Sequence, residues 1–85
     1  MNEKDVLNNL FMKYDAVLLK LLYPAQYGQL KLAIEEIKEG EKPIVSDPFV
    51  RLALYMMLCD LKENETVCNR TKQIFIDMLG REYLY

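Results

Sequence analysis

Apolar side chains recur at helical spacing in four segments of the chain, and short polar, glycine or proline stretches separate these segments. In the first segment, Glu3 to Tyr23, the three- and four-residue spacing predicts a helix with one buried face. Its apolar positions are Val6, Leu7, Leu10, Tyr14, Val17, Leu18 and Leu21. Asn2 or Asp5 is a suitable cap for its start. Because Pro24 disfavours helical geometry at the residue before it, the first helix is expected to end there.

The second predicted helix runs from Ala25 to Lys38, and its apolar positions again lie on one face: Tyr27, Leu30, Ile34 and Ile37. Gly28 lies inside this helix. A glycine there weakens a helix by about 1 kcal/mol relative to alanine. Close approach of the first helix is an alternative reason for its presence. Gly40 is expected to end the helix.

The third predicted helix has the clearest start signal in the chain. Asp47 can cap the free N–H groups while Pro48 takes the first helical position. From Pro48 to Lys62 the side chains are apolar almost all round, and the charged exceptions are Arg51, Asp60 and Lys62. Such a helix has no face for water. We therefore expect it to lie at the centre of the bundle or to contact another molecule.

The fourth predicted helix runs from Val67 to Leu79, with Thr66 as its cap and Gly80 as its end. The tail, residues 81–85, contains two tyrosines and a leucine, so we expect it to pack on the body of the protein or on a partner. No segment has the pattern of a strand. The sequence therefore predicts an all-α, small four-helix bundle-like domain that occupies residues 1–85 as a single domain.

Composition narrows the possible partners. The 85 residues carry 11 basic and 13 acidic side chains, for a net charge of −2. These charges are spread evenly, whereas nucleic-acid binding relies on clustered lysine and arginine. The polar beginning of the chain does not resemble a signal peptide, and no apolar run reaches the length of a membrane span. We therefore expect a cytoplasmic protein with no membrane partner.

The residue types that usually carry catalysis or bind metals are scarce. The chain has no histidine, and its two cysteines, Cys59 and Cys68, are too few for a zinc site. We expect both cysteines to be reduced and partly buried, and Cys68, near Arg70 and Lys72, to be the better candidate for reactivity. The three glycines do not form a phosphate-binding loop. The prediction is a protein that is not an enzyme and has no cofactor or metal.

The surplus of apolar side chains favours an interaction module, because four short helices cannot all bury more than one broad face in so small a protein. The expected partner is a second copy in a homodimer, or another protein. The candidate interface residues are Leu19, Tyr23, Tyr55, Met56, Met57, Tyr83 and Tyr85. Inhibition of an enzyme by direct binding is a further possibility.

The alternative function is that of a small DNA-associated regulator that uses the last helix. Asn69, Arg70 and Lys72 would contact phosphates or bases, as polar and basic groups do at the start of a recognition helix. The turn before this helix lacks glycine and carries Glu63 and Glu65, so nucleic acid is the less favoured partner.

Three stretches resemble a small helical domain of unknown function found in phage and mobile-element proteins. They are the helical run Gln29 to Ile34, the loop Glu39 to Pro43, and the apolar helix that leads from Asp47 to Asn64. The resemblance implies a phage- or mobile-element-derived bacterial protein, in a family that sometimes occurs beside replication modules. It brings no catalytic residues.

Overall fold

The structure, a computed structural model, describes residues 2–21 and 23–80, without the side chains of Ala16 and of residues 18–21. This part of the chain forms four helices and no strand: α1 (Glu3–Leu21), α2 (Pro24–Lys38), α3 (Pro48–Leu61) and α4 (Asn69–Leu79). The prediction of an all-α, four-helix bundle-like fold is confirmed.

Short-range signals in the sequence set most of the helix ends. At α1, the Asn2 side chain accepts a hydrogen bond from the backbone N–H of Asp5 at 2.9 Å. At α3, one Asp47 oxygen accepts from the N–H groups of Phe49 at 2.9 Å and Val50 at 3.2 Å. Gly40, with φ 81°, follows α2, and Gly80, with φ 60°, ends α4. These left-handed conformations favour glycine because it has no Cβ.

The start of α4 differs from the prediction. Thr66 does not cap the helix, because it lies in the preceding turn, where its backbone N–H donates to the Asn64 side chain at 2.9 Å. The helix begins at Asn69, and Cys68 is its N-cap residue without a capping side-chain hydrogen bond.

α1 and α2 form an antiparallel pair. Near the start of α1, Lys4 forms an ion pair with Glu39 at the far end of α2. Near the start of α2, Tyr27 packs its ring against Phe11, with 5.6 Å between the centroids, and donates its hydroxyl to Asp15. This hydrogen bond to a carboxylate raises the pKa of Tyr27 above its ordinary value.

The segment between α2 and α3 runs back along α2, so α3 starts beside the start of α2. Gln26 joins the two starts: its side-chain oxygen accepts from the backbone N–H of Tyr23 at 3.0 Å, and its amide nitrogen donates to Asp47 at 2.9 Å. Gln26 and the N–H groups of Phe49 and Val50 together hold the pKa of Asp47 below its ordinary value.

α4 returns antiparallel to α3, and Arg51 of α3 fixes its end. The Arg51 guanidinium donates to the carbonyls of Met78 at 3.1 Å, Leu79 at 2.8 Å and Val45 at 2.9 Å. The last carbonyls of a helix have no partners within the helix, and a cation suits the negative end of its dipole. One side chain therefore ties the end of α4 to α3 and to the connecting segment.

All four helices contribute to one core, whose fully enclosed side chains include Leu7, Leu30, Leu54, Leu58 and Phe75. The predicted inward face of α2 is confirmed for Leu30, Ile34 and Ile37, which are buried. No close packing at Gly28 is seen among the described residues, since a Cβ at this position would meet none of their atoms within 4 Å.

Candidate interaction surface

The outward face of α3 is the strongest candidate for a functional surface. It is the side of the helix opposite the side chains that are buried in the core. Six side chains of α3 point into the core: Val50, Ala53, Leu54, Met57, Leu58 and Leu61. They follow helical spacing, and they are held against α1, α2 and α4. The remaining apolar residues of the helix consequently lie outside this buried face, although Tyr55 still packs partly against the core.

We refer to Phe49, Leu52, Tyr55, Met56 and Cys59 as the α3 apolar surface. Phe49 is 59% exposed and Leu52 is 44% exposed, Cys59 is exposed, and Tyr55 and Met56 are half-buried. Phe49, Leu52, Met56 and Cys59 are three or four residues apart, so they form one stripe along the helix. A continuous apolar stripe, unlike a single exposed leucine, is typical of a contact surface.

Tyr23 is an exposed aromatic residue whose backbone lies near the start of α3. Its side chain is 76% exposed. The hydrogen bonds through Gln26 and Asp47 hold the backbone of Tyr23 close to the first turn of α3, where Phe49 lies. An aromatic ring with a polar tip is a residue type enriched at protein interfaces.

The other end of the α3 apolar surface is bordered by a polar cluster. Asp60 accepts hydrogen bonds from the Tyr14 hydroxyl at 2.6 Å and from the Lys13 ammonium at 2.9 Å. These two donors lower the pKa of Asp60, while the bonds to Asp60 raise the pKa values of Tyr14 and Lys13. Because both donors belong to α1, the cluster fixes α1 against the end of α3 and marks a polar rim.

A hydrogen bond with the Cys59 side chain raises the pKa of the Tyr55 hydroxyl. Tyr55 and Cys59 lie one turn apart on α3, so this contact stays within the α3 apolar surface. Both cysteines are free and exposed. The expectation that they are partly buried is therefore wrong, because Cys59 lies on the outward face of α3 and Cys68 precedes α4.

The predicted interface residues separate into three groups. Tyr23, Tyr55 and Met56 have accessible side chains. Met57 is a correction: it is 1% exposed and lies in the core, so it is not available to a partner. The side chain of Leu19 and the whole of Tyr83 and Tyr85 lie outside the described residues. Phe49 and Leu52 were not among the predicted interface residues, although their spacing from Met56 was a usable signal.

The residues of the nucleic-acid alternative lie together at the start of α4, with Asn69 and Arg70 exposed. The Arg70 guanidinium lies over Gly40. If Gly40 carried a Cβ, this atom would be 3.5 Å from the Arg70 Nη2. Lys72 donates to the carbonyl of Lys62 at 3.3 Å, which helps to close the turn between α3 and α4. Both cations are thus placed against the protein's own backbone.

Among residues 2–21 and 23–80 with their described side chains, no three acidic or cysteine side chains lie close enough to hold a metal ion. Within the same part of the chain, the helices are too short or too polar to cross a bilayer. Comparison of the chain with protein-family models, with curated proteins and with solved structures finds no match.

Proposed function

We propose that this protein is a non-enzymatic interaction module of the cytoplasm that self-associates through the α3 apolar surface. The observation that supports this proposal is the exposed stripe from Phe49 to Cys59 on a helix whose opposite face fills the core. Burial of apolar area is the main driving force of protein association.

The size of the surface is suited to a homodimer. At their observed exposures, the rings of Tyr23 and Phe49 alone offer on the order of 300 Å². A stable interface covers about 800 Å² on each partner, so these two rings supply a substantial part. A symmetric pair is the commonest closed assembly, and it covers the same stripe on both copies.

The proposal is tested by substitution of Leu52, which lies in the middle of the stripe. The mass of the wild type in sedimentation equilibrium should rise with concentration from the protomer mass of 10.0 kDa to twice that value. Leu52→Glu would bury an unpaired charge in the interface, so this variant should remain a monomer at every concentration.

Asn69→Glu is the matched control, because it introduces the same charge at an exposed position on α4. It should associate as the wild type does, and circular dichroism should show the same helix content in all three proteins. A wild type that stays at the protomer mass up to millimolar concentration would contradict self-association.

The alternative of a DNA-associated regulator from a phage or mobile element is less well supported. Arg70 and Lys72 already have structural contacts, with Gly40 and with the Lys62 carbonyl. Titration of labelled duplex DNA at low salt separates the two proposals. Binding that the double variant Arg70→Glu, Lys72→Glu abolishes, and that Leu52→Glu leaves intact, would favour the regulator.

A further inference from the structure

The connection between α2 and α3 contains an extended segment with one edge that no described residue covers. Residues 41–47 form neither helix nor turn, and burial alternates along them: Pro43 and Val45 are buried, whereas Lys42, Ile44 and Ser46 are exposed. Ile44 is 98% exposed. This alternation is that of a strand, in which successive side chains point to opposite sides.

The two edges of this segment differ. The carbonyl of Val45 faces α3, where it accepts from Arg51 at 2.9 Å. In an extended chain the neighbouring residues direct their N–H and carbonyl groups to the other edge. For Lys42, Ile44 and Ser46 these backbone groups have no hydrogen-bond partner in the described part of the chain.

This open edge borders a groove of about 350 Å³ between the segment and α2. Leu32, 62% exposed, and Ile44 form its two rims, and the buried residues Ala33 and Val45 lie at its base. Ligand pockets usually measure about 300–1,000 Å³, so this groove is large enough for one or two side chains of a peptide.

The charges at one end of the groove are mostly negative. Glu36 and Glu41 line it, and their carboxylates form no hydrogen bond or ion pair with any described side chain. Lys42 also lines the groove and offsets one of these two negative charges, so one acidic group is in excess. The carboxyl end of α2 lies at this end and adds the negative end of its dipole. A basic side chain is therefore favoured there.

We propose that this groove binds a short extended segment of a partner protein that contains a large aliphatic residue near a lysine or arginine. The segment pairs its backbone with the edge from Lys42 to Ser46 and places its aliphatic side chain between Leu32 and Ile44. Its basic side chain lies against Glu36 and Glu41. Backbone pairing of this kind provides affinity, and the side-chain pockets provide specificity.

Selection from a displayed library of short random peptides tests this proposal on the full chain. Peptides selected on the wild type should combine aliphatic residues with lysine or arginine. They should not bind Ile44→Asp, a substitution at an almost fully exposed position that leaves the core unchanged. Glu36→Lys should weaken their binding about tenfold or more through charge repulsion, whereas Glu63→Lys, in the turn after α3, is the matched control.

Nuclear magnetic resonance then locates the peptide. Saturable amide shifts at Lys42, Ile44 and Ser46 are the expected result. Four results would overturn the proposal: no selected peptides, equal selection on Ile44→Asp, selected peptides without basic residues, or shifts confined to α3. If the amide shifts from Lys42 to Ser46 change with protein concentration in the absence of peptide, a second copy of the chain binds this edge, and the proposal of a partner segment is wrong. Leu52→Glu should bind the peptides normally, which separates this groove from the α3 apolar surface.

Discussion

The helices α3 and α4 pack against each other in the core, but their outward faces differ in chemistry. On α4 the exposed side chains are polar, namely Asn69, Arg70, Gln73 and Asp77, and the buried ones are Thr71, Phe75, Met78 and Leu79. On α3 the exposed face carries the α3 apolar surface. α4 therefore carries polar side chains where it meets water, whereas the outward face of α3 is apolar, and this difference motivates the proposed contact of α3 with a partner.

Substitution of the adjacent residues Met56 and Met57 tests this difference with the largest expected change in the free energy of unfolding. Met57→Ala removes a fully enclosed side chain and leaves a cavity, so the free energy of unfolding should fall by about 2–5 kcal/mol. Met56→Ala, on the half-buried outward face, should cost less than half as much in dilute solution. Urea denaturation measures both values. Equal losses of stability would show that Met56 and Met57 are equally buried in solution, which would contradict an accessible outward face of α3.

Arg51 tests the junction at which α3 holds the end of α4. Arg51→Met keeps most of the apolar stem but leaves three carbonyls without their charged donor. Hydrogen bonds to charged groups contribute about 1.5–3 kcal/mol, and a loss in this range is expected from urea denaturation. Lys31→Met, at an exposed position on α2, is the control and should change stability by about 0.5 kcal/mol or less. A similar loss in both variants would remove the role assigned to Arg51.

The ends of the helices could be predicted from the sequence wherever the signal involves neighbouring residues. Asp47 and Pro48 start α3 as expected, and Gly40 and Gly80 lie at the helix ends where glycine tolerates positive φ. The same reasoning misplaced the start of α4 by two residues, because it took Thr66 as the N-cap residue, whereas Cys68 holds that position. Thr66 itself belongs to the preceding turn, and the conformation of this turn decides where the helix begins.

The orientation of α3 could not be predicted, for a physical reason. A helix that is apolar all round has no pattern that distinguishes its inward face, so its rotation depends on the packing of the other three helices. This is why Met57 was expected at the interface and lies in the core. The contacts that shape the candidate site also join distant parts of the chain: Lys13 and Asp60 are 47 residues apart, and Gln26 and Asp47 are 21 apart.

The starts of α3 and α4 also differ, because the Asp47 side chain caps α3 and no described side chain caps α4. The pH dependence of stability tests the contribution of Asp47. Asp47 has a lowered pKa because the folded protein favours its charged form. This group therefore stabilises the fold above its ordinary value of 3.8 and loses that effect as pH falls through its lower folded value.

In Asp47→Asn the cap oxygen remains but the titrating group is gone. The thermal midpoint of this variant should fall less steeply than that of the wild type as pH decreases below about 4. Asp77→Asn, on the outward face of α4, is the matched control and should follow the wild type. Identical slopes for the wild type and Asp47→Asn would show that Asp47 contributes no acid sensitivity.

At the start of α4 we expect a substitution to increase stability, and this is the smallest effect among the predictions. Cys68 is the N-cap residue but makes no capping hydrogen bond, and its sulfur lies 3.5 Å from the Glu3 carboxylate and from the Thr71 hydroxyl. A serine oxygen is a much better acceptor for the free N–H groups of the first turn, so Cys68→Ser should raise the free energy of unfolding by about 0.5–1 kcal/mol. Cys59→Ser, on the outward face of α3, has no free N–H groups beside it and should give no such gain. If both substitutions change stability equally, the effect comes from loss of the thiol, and the missing cap is not what distinguishes α4 from α3.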